Sequence, residues 1–75
     1  MKRHHYRIEL FEEKEGFWTV EVWDDNECRA YTYSAYCGPS ERMRGIARQR
    51  GVRFVEEHDN SATMHVREHY YSAAN

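Results

Sequence analysis

Three patterns in this 75-residue chain predict an α+β domain: a small antiparallel sheet, in the order βββαββ, with one helix packed on one face. The first is alternation of inward apolar residues on both sides of a Gly-ended turn. The second is a Cys-Gly-Pro-Ser break followed by apolar residues at helical spacing. The third is renewed alternation towards the end of the chain. Periods of two and of 3.6 residues are the primary signals of strand and helix.

The elements follow in order. Residues 6–11 alternate, with Tyr6, Ile8 and Leu10 on one face, and Glu12-Glu13-Lys14-Glu15-Gly16 is a polar turn. Residues 17–23 alternate again, with Trp18, Val20 and Val22 together, which makes a β-hairpin. Asp24-Asp25-Asn26-Glu27 is a second turn, and residues 28–36 read as a third strand. Pro39 suits a first helical turn and Ser40 an N-cap, so a helix is expected to start near residues 39–41. Met43, Ile46 and Ala47 form its apolar stripe, and Gly51 stands where a C-terminal stop belongs. Residues 52–55, Val-Arg-Phe-Val, are expected to be a fourth strand. His58-Asp59-Asn60-Ser61 is a turn, and residues 63–71 alternate with Met64, Val66 and Tyr70 on one side. A terminal helix is the competing reading of that last segment.

No linker, repeat or low-complexity tract interrupts residues 1–75, so they are read as a single domain. A chain of this length buries only roughly 60% of its unfolded surface, which makes large aromatic side chains valuable. Aromatics are 15% and charged residues 32% of the sequence, a balance unlike that of disordered chains. No apolar run reaches membrane-span length, and no signal-peptide core is evident. On an extended strand Cys28 and Cys37 would stand about 30 Å apart, against the ~5.5 Å of a disulfide. Two free thiols and no targeting segment point to the cytoplasm.

Charge is the most uneven property of the chain. Residues 1–27 carry −4, residues 28–55 carry +5 and residues 56–75 carry −3, within a net charge of −2. The central block holds Arg29, Arg42, Arg44, Arg48, Arg50 and Arg53 against Glu41 alone. With Met43, Ile46 and Ala47 turned inward, Arg44 and Arg48 share the outer helix face and Arg42 borders it. Arginine pairs bidentately with carboxylate or phosphate, so this face suits an acidic protein or nucleic acid. Tyr31 and Tyr33 supply the aromatics that a nucleic-acid surface would stack on. The pI of about 6.2 and the acidic hairpin favour the protein partner. Phe11, Phe17 and Trp23, joined by Tyr31 and Tyr33, would lie on the sheet face away from the helix, where grouped aromatics mark binding or self-association. Glu13 and Asp25 place carboxylates at the two turns, suited to the basic groove of a nucleic-acid-handling protein.

Catalytic and metal signatures are weak. His65 and His69 would share a helix face, but on a strand they stand about 13 Å apart, too far to ligate one ion. Cys28, Cys37 and His58 lack the close pairing of zinc modules. Nothing resembles a nucleophile elbow, a phosphate loop or a paired-carboxylate site. The expectation is a non-enzymatic chain with no cofactor and no metal.

Gly16-Phe17-Trp18-Thr19-Val20-Glu21-Val22, followed by Asp24 and Cys28, resembles the early strands of HicB-like antitoxin domains. Those domains have a Gly-aromatic strand, a Pro-Asp-Leu-Pro-Gly-Cys turn, a third strand and a helix. This chain keeps the Asp and Cys of that turn without its prolines and Gly, and its helix is arginine-rich rather than alanine- and glutamate-rich. The resemblance covers about residues 6–50 and implies a βββα unit. By general type the chain is also similar to small phage-encoded inhibitors, anti-CRISPR proteins among them: short, single-domain, aromatic-rich and charge-segregated. Together these readings predict a protein-binding module that docks on a larger nucleic-acid-handling complex. The partner-binding residues are expected to be Arg42, Arg44, Arg48, Trp23, Tyr31, Tyr33, Glu13 and Asp25, and a homodimer is allowed. The alternative is a nucleic-acid-binding regulator or antitoxin that uses the arginine-rich helix.

Overall fold

The computed structural model describes residues 4–24 and 29–72, with the side chains of 29–33 outside that description. It has one helix and one four-stranded mixed sheet: β1 (His5–Lys14), β2 (Phe17–Asp24), β3 (Arg29–Cys37), α1 (Ser40–His58) and β4 (Thr63–His69). The sheet order is β3-β2-β1-β4.

The hairpin forms as its alternation dictates. β1 and β2 are antiparallel, pairing Ile8 with Val22 and Leu10 with Val20. Tyr6, Ile8, Leu10, Trp18, Val20 and Val22 are buried under the helix. Gly16 closes the turn at φ +82°, where a side chain would be strained and would strike the Gly38 carbonyl. The Gly38 N–H donates to the Gly16 carbonyl at 2.9 Å, which ties the hairpin turn to the start of the helix.

Asp24 departs from its expected place in a turn: it ends β2 and is fully buried, with His4 Nδ1 3.3 Å from its carboxylate. Ser40 is not the N-cap. Pro39 occupies that position, and Ser40 is the first helical residue. Its hydroxyl donates to Glu12 and accepts the Trp18 indole N–H at 3.0 Å. Glu12 also receives the Gly16 N–H at 3.2 Å and the Tyr71 N–H at 3.1 Å, so one carboxylate ties the hairpin turn, the helix start and the segment after β4 together. The Ser40 hydrogen bond is the main reason its carboxyl group sits below the usual carboxylate range.

The largest correction concerns Gly51 and residues 52–55. The helix does not stop at Gly51, and residues 52–55 are not a strand; α1 continues to His58. Its buried residues are Met43, Ala47, Gly51 and Val55, a four-residue repeat that crosses the sheet. A Cβ on Gly51 would lie 2.7 Å from Ile8 Cγ2 and 3.1 Å from Val20 Cγ2, so this glycine marks a close approach of helix to sheet. Val52 and Phe54 are half-buried against the same core. A continuous helix satisfies the backbone of 52–55 internally and still buries these side chains. The helix ends where the Asp59 N–H donates to the Val55 carbonyl at 2.8 Å. The Asp59 carboxylate then accepts the Ser61 N–H at 3.1 Å and hydroxyl at 2.9 Å.

Residues 63–69 form a strand, not a helix, and the sheet is not wholly antiparallel. β4 pairs with β1 in parallel, from His5 with Thr63 to Phe11 with His69. The reason is the long helix. It carries the chain back across the sheet, so β4 starts beside the start of β1, where the Thr63 N–H reaches the His4 carbonyl at 3.1 Å. A parallel pair needs such a crossover.

Candidate partner-binding surfaces

The helix has two flanks with different chemistry. Over β4, Arg44 donates to Glu68 at 3.1 Å and Arg48 approaches the same oxygen at 3.9 Å. The Tyr70 hydroxyl donates to the other Glu68 oxygen at 2.7 Å. That bond and then Arg44 hold the Glu68 carboxyl below its ordinary range, while Glu68 raises both Arg44 and Tyr70. Two of the arginines expected at an outer binding face are therefore engaged within the chain, although Arg48 stays 53% exposed.

Over β3 the flank is open. Ile46, expected to point inward with Met43 and Ala47, is 38% exposed. It lines a groove of about 200 Å³ with Tyr36, Gln49, Arg50 and Arg53. A second hollow of similar size continues along Arg50 and Arg53 to Phe54 and Glu57. Among the described residues no ion pair or hydrogen bond engages Arg42, Arg50 or Arg53, and all three are exposed. Ile46, Arg50, Arg53 and Glu57 follow the i, i+4, i+7, i+11 spacing of one helix stripe. That spacing is readable in the sequence, but only if the helix runs past Gly51.

The sheet face away from the helix is not a bare aromatic surface. Glu9 lies at its centre, only 7% exposed. His69 Nε2 is 2.7 Å from one carboxylate oxygen; Arg7 Nε is 2.8 Å and Arg67 Nη1 3.7 Å from the other. The His69 ring stacks on Phe11 at 4.5 Å, and the Arg7 guanidinium lies over the Trp23 ring at 5.5 Å. The Trp23 indole N–H donates to Glu21 at 2.9 Å. Phe11 and Trp23 are thus half-buried among neighbours on their own face, and Phe17 is half-buried as well.

His65 and His69 share strand β4. His65 Nδ1 instead meets His5 Nε2 at 2.8 Å, with the two rings stacked 5.0 Å apart. Among the described residues no group of three or more His, Cys, Asp or Glu gathers as metal ligands do. Glu13, expected in the first turn, instead lies exposed near the end of β1, which runs on to Lys14, and accepts the Thr19 hydroxyl at 3.3 Å. Asp25 lies outside the described residues, as do the side chains of Tyr31 and Tyr33 and all of Cys28. The β3 backbone pairs Tyr33 with Glu21. Cys37 is a free, exposed thiol. Among the described residues, no helix is long and apolar enough to cross a membrane.

No protein-family model, curated protein or solved structure matches this chain. The arrangement of its own residues is what bears on function.

Proposed function

We propose that this chain is a non-enzymatic protein-binding module, a small inhibitor or regulator that acts in the cytoplasm by docking on a larger nucleic-acid-handling protein complex. The observation that carries the reading is the sorting of its arginines. Arg44 and Arg48 are engaged by Glu68, while Arg50 and Arg53 stand exposed beside the apolar Ile46 with no ion pair or hydrogen bond among the described residues. An unneutralised guanidinium pair around an exposed aliphatic side chain is the composition of a protein interface, where arginine and apolar groups are enriched. Arg42 extends the same charge. Carboxylates around the hairpin turn, Glu13 and Glu15, oppose a role as a general nucleic-acid binder.

The test is capture of the nucleic-acid-handling complex by the tagged chain after nuclease treatment, set beside Arg50→Glu with Arg53→Glu. Capture that survives the nuclease and is lost in the folded double variant supports the reading. Binding of naked labelled nucleic acid that weakens steeply with salt transfers the arginines to phosphates and replaces it with the regulator alternative. Co-purification with a small basic toxin would select the HicB-like antitoxin role that the hairpin resembles.

A further inference from the structure

The outer edge of β3 borders the arginine groove. Natural sheets protect an edge with charge, proline, bulges or shortness, because its unpaired backbone groups invite another strand. β3 is nine residues long and carries one charge, Arg29, at its first position. Its pairing with β2 shifts register between Val22 and Trp23, then runs regularly from Thr32 to Cys37. Over those six residues the sequence Thr-Tyr-Ser-Ala-Tyr-Cys offers no charge and no proline. The opposite edge, β4, is guarded by Arg67, Glu68 and two histidines.

Tyr36 places the groove against this edge. It pairs with Trp18, which sits on the helix side of the sheet, and it lines the hollow with Ile46, Arg50 and Arg53. A strand added outside β3 would lie about 4.8 Å away, beneath that flank of α1. Its alternate side chains, about 6.8 Å apart, would enter the groove. Arg50 and Arg53 are separated by about 4.5 Å of helix rise, so their long side chains reach carboxylates two positions apart.

We infer that the edge of β3 and the groove beside it form one site that takes an extended acidic segment of a protein partner by strand addition. The segment carries Asp or Glu at alternate positions for Arg50 and Arg53 and an apolar side chain for Ile46. Main-chain hydrogen bonds supply affinity and the groove supplies selection, as in other strand-addition complexes. This rests on the protein-binding reading above and names how that partner is held. A second copy of the chain is a poorer occupant, because β3 against β3 brings both arginine pairs to the same side of the joined sheet. Nucleic acid would use the arginines and leave the edge amides unused.

The test uses the whole chain, isotopically labelled, and ten-residue peptides in which Thr alternates with Val, Glu and Glu, or with Val, Lys and Lys, so that the apolar and charged side chains share one face. The Glu peptide is expected to bind and to protect amides within residues 32–37 from exchange. The Lys peptide is expected to bind at least about tenfold more weakly, and Arg50→Glu with Arg53→Glu to reverse that preference. A Glu peptide N-methylated at alternate residues keeps every side chain and is expected to lose binding. If it binds equally well, or the β3 amides stay unprotected, strand addition is overturned while an acidic protein partner stands. Protection of those amides without peptide, in a sample that sediments as a dimer, assigns the edge to a second copy and overturns the inference. A single-stranded oligonucleotide that binds more tightly than the Glu peptide while leaving those amides unprotected overturns it together with the protein-binding reading.

Discussion

Replacing Gly51 by alanine sets two effects of known sign against each other. Within a helix, alanine is favoured over glycine by about 1 kcal/mol. At Gly51 the new methyl would stand 2.7 Å from Ile8 Cγ2 and 3.1 Å from Val20 Cγ2, and both neighbours are fully buried β-branched residues with little freedom to yield. Overpacking of this kind costs about 1–3 kcal/mol. Gly45 lies in the same helix, exposed, and a methyl there would meet nothing within 4 Å, so Gly45→Ala carries the propensity gain alone. The difference between the two variants cancels propensity and leaves the clash, about 1–3 kcal/mol. For a domain of this size that is a gap in Tm of roughly 5–20 °C, with Gly45→Ala above the parent. Thermal melts by circular dichroism, with urea titration for the free energies, measure it. Equal upward shifts for both variants would refute the packing of α1 on β1 and β2 at Gly51, and with it the reading of Gly51 as a contact rather than a stop.

Three further outcomes are expected. Glu12, Asp59 and Glu68 all have carboxyl groups held below the usual range by hydrogen bonds. A group with a depressed folded value stabilises the protein above its unfolded value, near pH 4, and loses that effect as pH falls through the folded value. Stability measured in urea should therefore fall below about pH 4, less steeply in Glu12→Gln. Glu9→Ala leaves Arg7, Arg67 and His69 without their shared carboxylate and should cost about 1–3 kcal/mol, read from the urea midpoint. Arg44→Glu with Arg48→Glu sets two acids against Glu68 and should lower Tm at low salt, with the deficit shrinking as salt is added. If the double variant stays folded and partner capture is unchanged, the interface lies on the β3 flank alone.

The hairpin was legible because its two periods, its β-branched residues and its Gly16 turn all require the same thing. Tyr6, Ile8 and Leu10 share one buried face with Trp18, Val20 and Val22 as alternation demands. The helix start was legible to within a residue, since Pro39 permits little else. The helix end was not. Gly51 resembles a stop, and Val52-Arg53-Phe54-Val55 suits a strand by local preference. What overrides that preference is the burial of Gly51 and Val55 against β1 and β2, a contact with residues far away in the sequence.

The misleading stop at Gly51 also hides the candidate site. Ending the helix there separates Arg53 from Ile46 and Arg50 and makes Arg44 and Arg48 the obvious surface pair. Glu68 is twenty residues or more from both arginines it engages, so no local pattern could show that they were already taken. Nor could alternation show that Glu9 would gather Arg7, Arg67 and His69 beneath the aromatic side chains.

By itself, then, the sequence determined the class, the hairpin and its inward face, because side-chain period and turn chemistry act within a few residues. The tertiary structure decided how far the helix runs, that β4 lies parallel to β1, and which arginines remain free. Those outcomes depend on which distant surfaces meet, and burial and ion pairing between them outweigh local preferences of about 1 kcal/mol or less per residue.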